Sequence, residues 1–142
     1  MREDSEFRRC EAEKALARFK SRVRELTRRS RGVSLERVVG DLSPFLRGWA
    51  GYFGLSQWRE LSTLDAWVRR RLRCLAWVQW RTMRRRIAGL CRLGVAKSAA
   101  FAAARAAKGP WRLSASRALH NAFGKARLRA MGLVEMAGFA KA

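Results

Sequence analysis

Residues 64–87 read LDAWVRRRLRCLAWVQWRTMRRRI, and this stretch decides both the fold and the charge of the chain. When it is projected at about 100° per residue, it separates into two faces. One face carries apolar side chains: Leu64, Trp67, Val68, Leu72, Leu75 and Val78. The opposite face carries arginines, with one tryptophan among them: Arg69, Arg70, Arg73, Trp77, Arg81 and Arg84. The spacing therefore predicts a long amphipathic helix, opened by Ser62, that packs its apolar face on a core.

Two side chains of this helix allow more than one interpretation. The indole of Trp77 could stack on an unpaired base or on a neighbouring arginine. Alternatively, Trp77 and Trp80 pack against another helix, and the arginines form a solvated rim that extends over them. Arg71 projects onto the apolar side, so we expect it either at the edge of the core or in contact with a partner.

The basic character extends far beyond this helix. Residues 66–134 contain 17 Arg and Lys residues and no acidic residue. The chain carries a net charge of +21, and 26 of its 32 cations are Arg, which can grip a phosphate with two donors and stack on a base. A surface of one sign repels itself unless a polyanion neutralises it. The composition therefore predicts nucleic-acid binding. Charge alone would also permit a generic DNA-binding or nucleic-acid packaging protein, or a membrane-active protein.

The N-terminal half of the chain predicts further helices. With two prolines and no strand-like alternation, the sequence indicates an all-α fold. Apolar residues recur every third or fourth position over residues 10–29, so we expect a first helix there, ended by Gly32. Ser34 is predicted to cap a second helix, whose apolar face includes Trp49 as a core residue. Pro44 predicts a break within that second helix.

The C-terminal third is predicted to hold shorter elements. They are, in order, a loop over residues 89–94, an alanine-rich helix over residues 96–107, a break at Gly109 and Pro110, a last helix capped by Ser114 or Ser116 that runs to Met131, and a frayed tail over residues 137–142.

Residues that carry chemistry are sparse. His120 is the only histidine, and we expect it to be a polar residue at the edge of a helix. The three cysteines are scattered without zinc-ligand spacing, and carboxylates such as Asp41 and Asp65 stand alone. The sequence therefore predicts no catalytic residue, no metal site and no cofactor.

The sequence also bears on the compartment. No run of 18 uncharged apolar residues is present, and the N-terminal residues MREDSE lack the apolar core of a signal peptide. An odd number of scattered cysteines is typical of reduced thiols. We therefore expect a cytoplasmic protein that does not bind a membrane.

Several motifs together carry a resemblance to a known family. The octapeptide LRGWAGYF at residues 46–53 resembles the LRGWxNYF signature of the maturase-specific domain of group II intron-encoded reverse transcriptases, with Gly51 where that family usually has Asn. FKSRVRELTRR at residues 19–29, LDAWVRRRLR at residues 64–73 and GPWRLS at residues 109–114 are similar to the same region. The resemblance covers residues 14–134 in the family's order.

The resemblance implies a specific role. In that family this region is the thumb, or X, domain, which grips group II intron RNA, assists its folding for splicing and holds the template–primer duplex. The fold expected is a thumb-like helical bundle over residues 10–88 with a small basic helical extension over residues 95–134. No Tyr-x-Asp-Asp polymerase motif is present. We therefore expect no enzymatic activity from this chain, which corresponds to the C-terminal part of such a protein. Its fingers and palm could lie on a separate chain if the gene is split, or be absent from a decayed remnant.

From the arginine face and this resemblance we predict a set of RNA-contacting residues. They are Arg47, Arg69, Arg70, Arg73, Trp77, Arg81, Arg84, Arg85, Arg112 and Arg117. Arginine donors would contact phosphates, and Trp77 would supply a stacking surface.

Overall fold

The computed structural model describes residues 2–53 and 58–141 of the chain, and every regular element within them is helical. The α-helices are α1 (Arg2–Leu26), α2 (Leu35–Phe53), α3 (Trp58–Gln79), α4 (Met83–Arg92), α5 (Lys97–Arg105), α6 (Pro110–Leu113), α7 (Arg117–Ala122), α8 (Lys125–Ala130) and α9 (Met136–Lys141). A short 3-10 helix, Arg29–Arg31, joins α1 to α2. The predicted all-α bundle is confirmed.

Helix α3 occupies the centre of the bundle. It contacts α2, α6, α9 and the 3-10 helix, and its apolar face is buried as predicted. The α3 side chains on this face are Leu61, Leu64, Val68, Leu72 and Leu75. They join one continuous hydrophobic cluster with residues of α1, α2 and α4–α9. The predicted boundary between residues 10–88 and residues 95–134 stays a prediction.

The first helix extends further than predicted at one end and less far at the other. It begins at Arg2 rather than near residue 10 and ends at Leu26 rather than near residue 29. The predicted stripe of Ala12, Leu16, Phe19, Val23 and Leu26 is confirmed at its C-terminal end, where Phe19, Val23 and Leu26 are buried. Leu16 and Ala12 are half-buried, and Ala15, outside the predicted stripe, is fully buried. Residues 2–14 are exposed, apart from a half-buried Ala12. Acidic residues in the first turn complement the helix dipole and stabilise a start that contributes little to the core.

The break predicted at Pro44 is wrong. Pro44 lies inside a continuous α2, and the apolar face on either side of it is buried at Val39, Leu42 and Leu46. A proline in a helix interior costs about 3 kcal/mol. Burying one leucine side chain contributes about 1.5–3 kcal/mol. Keeping Leu42 and Leu46 in register on one face therefore outweighs the lost hydrogen bond. The cap predicted at the start of α2 is confirmed, because the Ser34 hydroxyl accepts from Arg37 N at 3.2 Å. Gly32, predicted to end the first helix, is left-handed with φ +68°, but it follows the 3-10 helix because α1 ends at Leu26.

The long central helix is shorter than predicted and is followed by a second helix rather than a loop. Ser62 lies inside α3, which begins at Trp58 and ends at Gln79. Thr82 caps the start of α4, where its hydroxyl accepts from Arg85 N at 3.2 Å. The chain turns here because the Trp80 indole packs directly against the backbone of Gly89. The helical periodicity did not predict this turn, because the apolar spacing continues through it.

The C-terminal third also departs from the prediction at two points. The alanine-rich helix is present as α5, and the Ser116 hydroxyl caps α7. The predicted last helix is divided into α7 and α8 at Phe123. The tail predicted to fray forms α9 up to residue 141, while residue 142 lies outside the described range. Helix α9 packs on α2 and α3, and Met136 is fully buried.

Asp65 of α3 holds α9 in place. Its two carboxylate oxygens accept hydrogen bonds from Met136 N and Ala137 N, both at 3.0 Å. Burial raises the pKa of this carboxyl, and the two backbone donors and Arg69 oppose that rise. The sequence offered no reason to pair Asp65 with Met136 and Ala137, which lie 71 and 72 positions further along the chain. The tail is ordered because a side chain of the central helix satisfies its first backbone donors.

We predict that Gly89→Ala destabilises the protein. A Cβ at Gly89 would lie 2.6 Å from Trp80 Cε2, so the indole must leave its site. An alanine in a helix interior normally stabilises by about 0.5–1 kcal/mol relative to glycine. Gly40→Ala is the matched control, because nothing lies within 4 Å of a Cβ there. Thermal unfolding followed by circular dichroism should give a lower Tm for Gly89→Ala and a raised Tm for Gly40→Ala. Shifts of the same sign would contradict this packing.

Candidate nucleic-acid interface

Three of the predicted contact residues are buried. Arg69 is 8% exposed, Arg73 4% and Trp77 1%. The prediction that they belong to a solvent-facing basic surface is wrong, because α6 and the residues after α7 cover this side of α3. Helical projection placed them opposite the apolar stripe correctly, but it could not show that both sides of α3 are covered.

The buried arginine Arg73 binds the chain that covers it. Its Nε donates to the backbone carbonyl of Phe123 at 3.0 Å. Burial lowers the pKa of the Arg73 guanidinium, and the positive charge of Arg69 lowers it further. A buried cation is tolerated when its donors are satisfied by protein acceptors. Arg73 therefore ties α3 to the end of α7 rather than reaching solvent.

Trp77 belongs to the core, as its packing interpretation predicted. The guanidinium of Arg86 lies over the ring, with Cζ 4.6 Å from its centroid, and Arg86 Nε donates to the Trp77 carbonyl at 3.2 Å. Trp80 is half-buried and lies 5.7 Å from the Phe123 ring. The sequence pattern did not predict a role for Arg86. Its spacing of nine residues from Trp77 becomes a contact only because the chain turns between α3 and α4.

Arg70 remains partly accessible and forms the best-defined aromatic contact of this surface. Its guanidinium stacks on Trp111 of α6, with Cζ 4.0 Å from the ring centroid. Arg70 Nη2 donates to the Trp111 carbonyl at 2.8 Å, and Nε donates to the Ser114 hydroxyl at 3.1 Å. Trp111 is nevertheless 40% exposed. The structure thus presents a flat indole, backed by a cation, at the surface.

The other predicted contact residues are exposed. They are Arg47 on α2, Arg81, Arg84 and Arg85 around the start of α4, Arg112 on α6, and Arg117 on α7. Helix α6 packs on α3, and α7 packs on α4 and α5, so most of these arginines lie on neighbouring elements. Arg47 instead lines a cavity of about 570 Å³ together with Arg129 and Glu135 of the α8–α9 region.

Ion pairs are concentrated away from this surface. Within residues 11–41, carboxylates pair with Lys14, Arg22, Arg31 and Arg37. Of the cations in residues 66–134, Arg129 alone lies within ion-pair distance of a described carboxylate, at 3.1 Å from Glu135 Oε1. Apart from Arg129, the positive charge of α4–α8 is therefore left uncompensated by the described part of the chain. Such a surface attracts polyanions.

His120 lies close enough to these arginines for their charge to affect its pKa. It is exposed on α7, as predicted for an edge residue. Burial of the ring lowers its pKa, and the charges of Arg73, Arg69 and Arg70 lower it further. The guanidiniums of α3 thus act electrostatically on the surface of α7, even where two of them are buried.

Arg71 lies at the edge of the core, one of the two predicted alternatives. Its Nε donates to the Thr27 hydroxyl at 2.7 Å, and its guanidinium lies 5.6 Å from the centroid of Trp67. Lys20 and Arg24 approach the same ring at 5.8 and 5.5 Å. Trp67 is half-buried against the core, as predicted, and is surrounded by cations. Burial lowers the pKa of Arg71, and Arg24 adds to that effect.

The carboxylates have structural partners. Asp41 accepts from Arg31 Nη2 at 2.7 Å, and this hydrogen bond holds the pKa of the carboxyl below its usual range. Asp65 caps α9. Across residues 2–53 and 58–141, no three His, Cys, Asp or Glu side chains gather into a possible metal site. No helix in these same ranges is long and apolar enough to cross a membrane.

The chain matches a known protein family. The sequence model of the family described as group II intron, maturase-specific domain matches residues 16–90. This range extends from α1 to α4 and includes all of α2 and α3. No curated protein matches the chain.

We predict that Arg73→Gln destabilises the fold. The shorter side chain leaves the buried carbonyl of Phe123 without its donor, and a lost partner of this kind costs about 1–3 kcal/mol. Arg117→Gln, at an exposed arginine, is the control and should change stability by about 0.5 kcal/mol or less. Urea denaturation followed by circular dichroism measures both. An unchanged midpoint for Arg73→Gln would show that the buried guanidinium is dispensable.

We predict a depressed pKa for His120 that rises when an anion binds. In the free protein the pKa lies below that of the unfolded chain. His120 therefore adds stability above the unfolded pKa, and this stability is lost as the pH falls through the folded pKa. Because the chain has one histidine, its NMR resonances are unambiguous. Adding tripolyphosphate should raise the pKa by neutralising the arginines. A pKa at the usual histidine value in the free protein would refute this electrostatic picture.

Proposed function

This chain belongs to the group II intron maturase-specific domain family, and on that basis we propose that it binds and stabilises folded group II intron RNA. Membership in the family implies a maturase-related function in intron splicing. The observation that carries the RNA-binding proposal is a surface of accessible arginines from α3 to α7, within residues 66–134, a range whose sequence contains no acidic residue. We define this basic surface as Arg70, Arg81, Arg84, Arg85, Arg112 and Arg117.

The basic surface supports capture by phosphate contacts. Five of its arginines are exposed, and Arg70 is partly exposed and oriented by its bonds to Trp111 and Ser114. Arginine forks bind phosphate oxygens with paired donors. RNA is then recognised by shape, through 2′-hydroxyls, phosphates and unpaired bases. Arg69, Arg73 and Trp77 are buried and are left out of the proposed contacts.

In a complete reverse transcriptase the same surface would hold the template–primer duplex. We propose a fingers and palm chain as a further partner and no catalytic group from this chain. Phosphoryl transfer to a growing strand uses two metals held by converging carboxylates. Here Asp41 is engaged by Arg31 and Asp65 by α9. Their arrangement supports a clamp rather than a polymerase site.

We predict salt-sensitive RNA binding that depends on Arg84 and Arg85. With about 6–10 phosphate contacts, affinity should fall about 10³–10⁵-fold between about 50 and 200 mM salt. The double variant Arg84→Gln/Arg85→Gln should reduce the slope of log affinity against log salt by about 0.7–0.9 for each lost contact. Fluorescence anisotropy with a labelled intron RNA measures this slope.

The matched control is Arg8→Gln/Arg9→Gln, an adjacent exposed pair on α1 among acidic residues. This control should bind RNA like the unaltered protein. An equal loss for both double variants would indicate that total charge, not the basic surface, governs binding. Equal affinity for intron RNA and for duplex DNA of the same length would favour the alternative of a generic nucleic-acid packaging protein.

A further inference from the structure

A small cavity between the 3-10 helix, α3 and α6 combines cations with an exposed aromatic ring. Its volume is about 170 Å³, several times that of a water molecule, and Thr27, Arg29, Arg71, Cys74 and Trp111 are among the residues that line it. None of the described residues that line it is acidic. This lining differs from the cavity beside Arg47, where Glu135 contributes a carboxylate.

Two guanidiniums line this cavity, those of Arg29 and Arg71, and that of Arg70 lies behind the lining residue Trp111. Arg29 is exposed on the 3-10 helix, and Arg71 is held at the inner wall by its hydrogen bond to Thr27. Burial raises the pKa of the Cys74 thiol in the cavity wall, and the charges of Arg71, Arg29 and Arg70 oppose that rise.

Trp111 provides the planar surface. Arg70 stacks on its ring, and its backbone carbonyl accepts from Arg70 and from the Ser114 hydroxyl. The Arg70 guanidinium therefore contacts the ring while 40% of the residue remains exposed. An aromatic side chain that is held in place can stack on any base without losing much conformational entropy.

We propose that this cavity binds one unpaired nucleotide of an RNA ligand. The base stacks on Trp111, and its phosphate binds to the donors of Arg29 and Arg71. The cavity lies between elements and beside the basic surface, so a nucleotide displaced from a bulge or loop can enter it while flanking phosphates contact Arg70 and Arg112. The proposal rests on the RNA-binding function above, and it adds a preference for RNA with an unpaired nucleotide.

Two RNA hairpins test the proposal, one fully paired and one identical except for a single bulged nucleotide. Dissociation constants are measured by fluorescence anisotropy. The unaltered protein should bind the bulged hairpin more tightly. Trp111→Ala should weaken binding of the bulged hairpin about 5- to 150-fold, the range found for base–aromatic stacking, and leave the paired hairpin nearly unaffected. Trp111→Phe keeps an aromatic face and should retain most of the preference.

Phe7→Ala is the control, because it removes another exposed aromatic ring, on the mixed-charge part of α1. Phe7→Ala should change neither the affinity for the bulged hairpin nor the affinity for the paired hairpin. Arg29→Gln, at an exposed residue, should selectively weaken binding of the bulged hairpin. If circular dichroism shows that Trp111→Ala does not fold, Arg29→Gln serves as the test of the nucleotide site. Equal binding of the two hairpins by the unaltered protein, or equal losses on both in the variants, overturns the nucleotide site. Failure to bind either hairpin at low salt refutes the RNA-binding function itself.

Discussion

The structure depends on the covering of α3 from both sides. Its apolar face packs into the core, and α6 and the residues after α7 close over much of its arginine face. Covering the arginine face is energetically unfavourable, because the charged guanidiniums lose their hydration there. It is offset by backbone acceptors: the carbonyl of Phe123 for Arg73 and that of Trp111 for Arg70. These contacts decide where the C-terminal segment lies.

Covering α3 moves the candidate interface to other elements. Of the predicted arginine face, Arg70 on α3 stays partly accessible, and Arg81 and Arg84 are exposed around the start of α4. The other members of the basic surface are exposed on α4, α6 and α7. The family match covers residues 16–90, whereas Trp111, Arg112 and Arg117 lie beyond it. The surface proposed for RNA therefore combines the matched region with the C-terminal third of the chain. Burial lowers the pKa of His120, and the positive charges of Arg73, Arg69 and Arg70 lower it further.

Local signals predicted the fold well where a single turn of chain was sufficient. The caps at Ser34 and Ser116, the left-handed Gly32 and the stripe of α1 all depend on neighbours within a few residues. Predictions were wrong where a distant contact overrode the local preference. Pro44 stays within α2 because the face around it is buried, and the tail becomes α9 because Asp65 caps it across 71 positions. A prediction from neighbouring residues cannot include such a distant partner.

By itself, the sequence determined the all-α class, the apolar stripes, the strong positive charge and the family, because these follow from residue spacing and composition. The tertiary structure alone decided which arginines meet solvent. Arg70 and Arg73 are three residues apart on one helix face, yet one stacks on a surface tryptophan and the other is buried beneath Phe123. The physical reason is that exposure depends on what packs across a helix. That packing is set by the summed burial and hydrogen bonding of residues more than forty positions away.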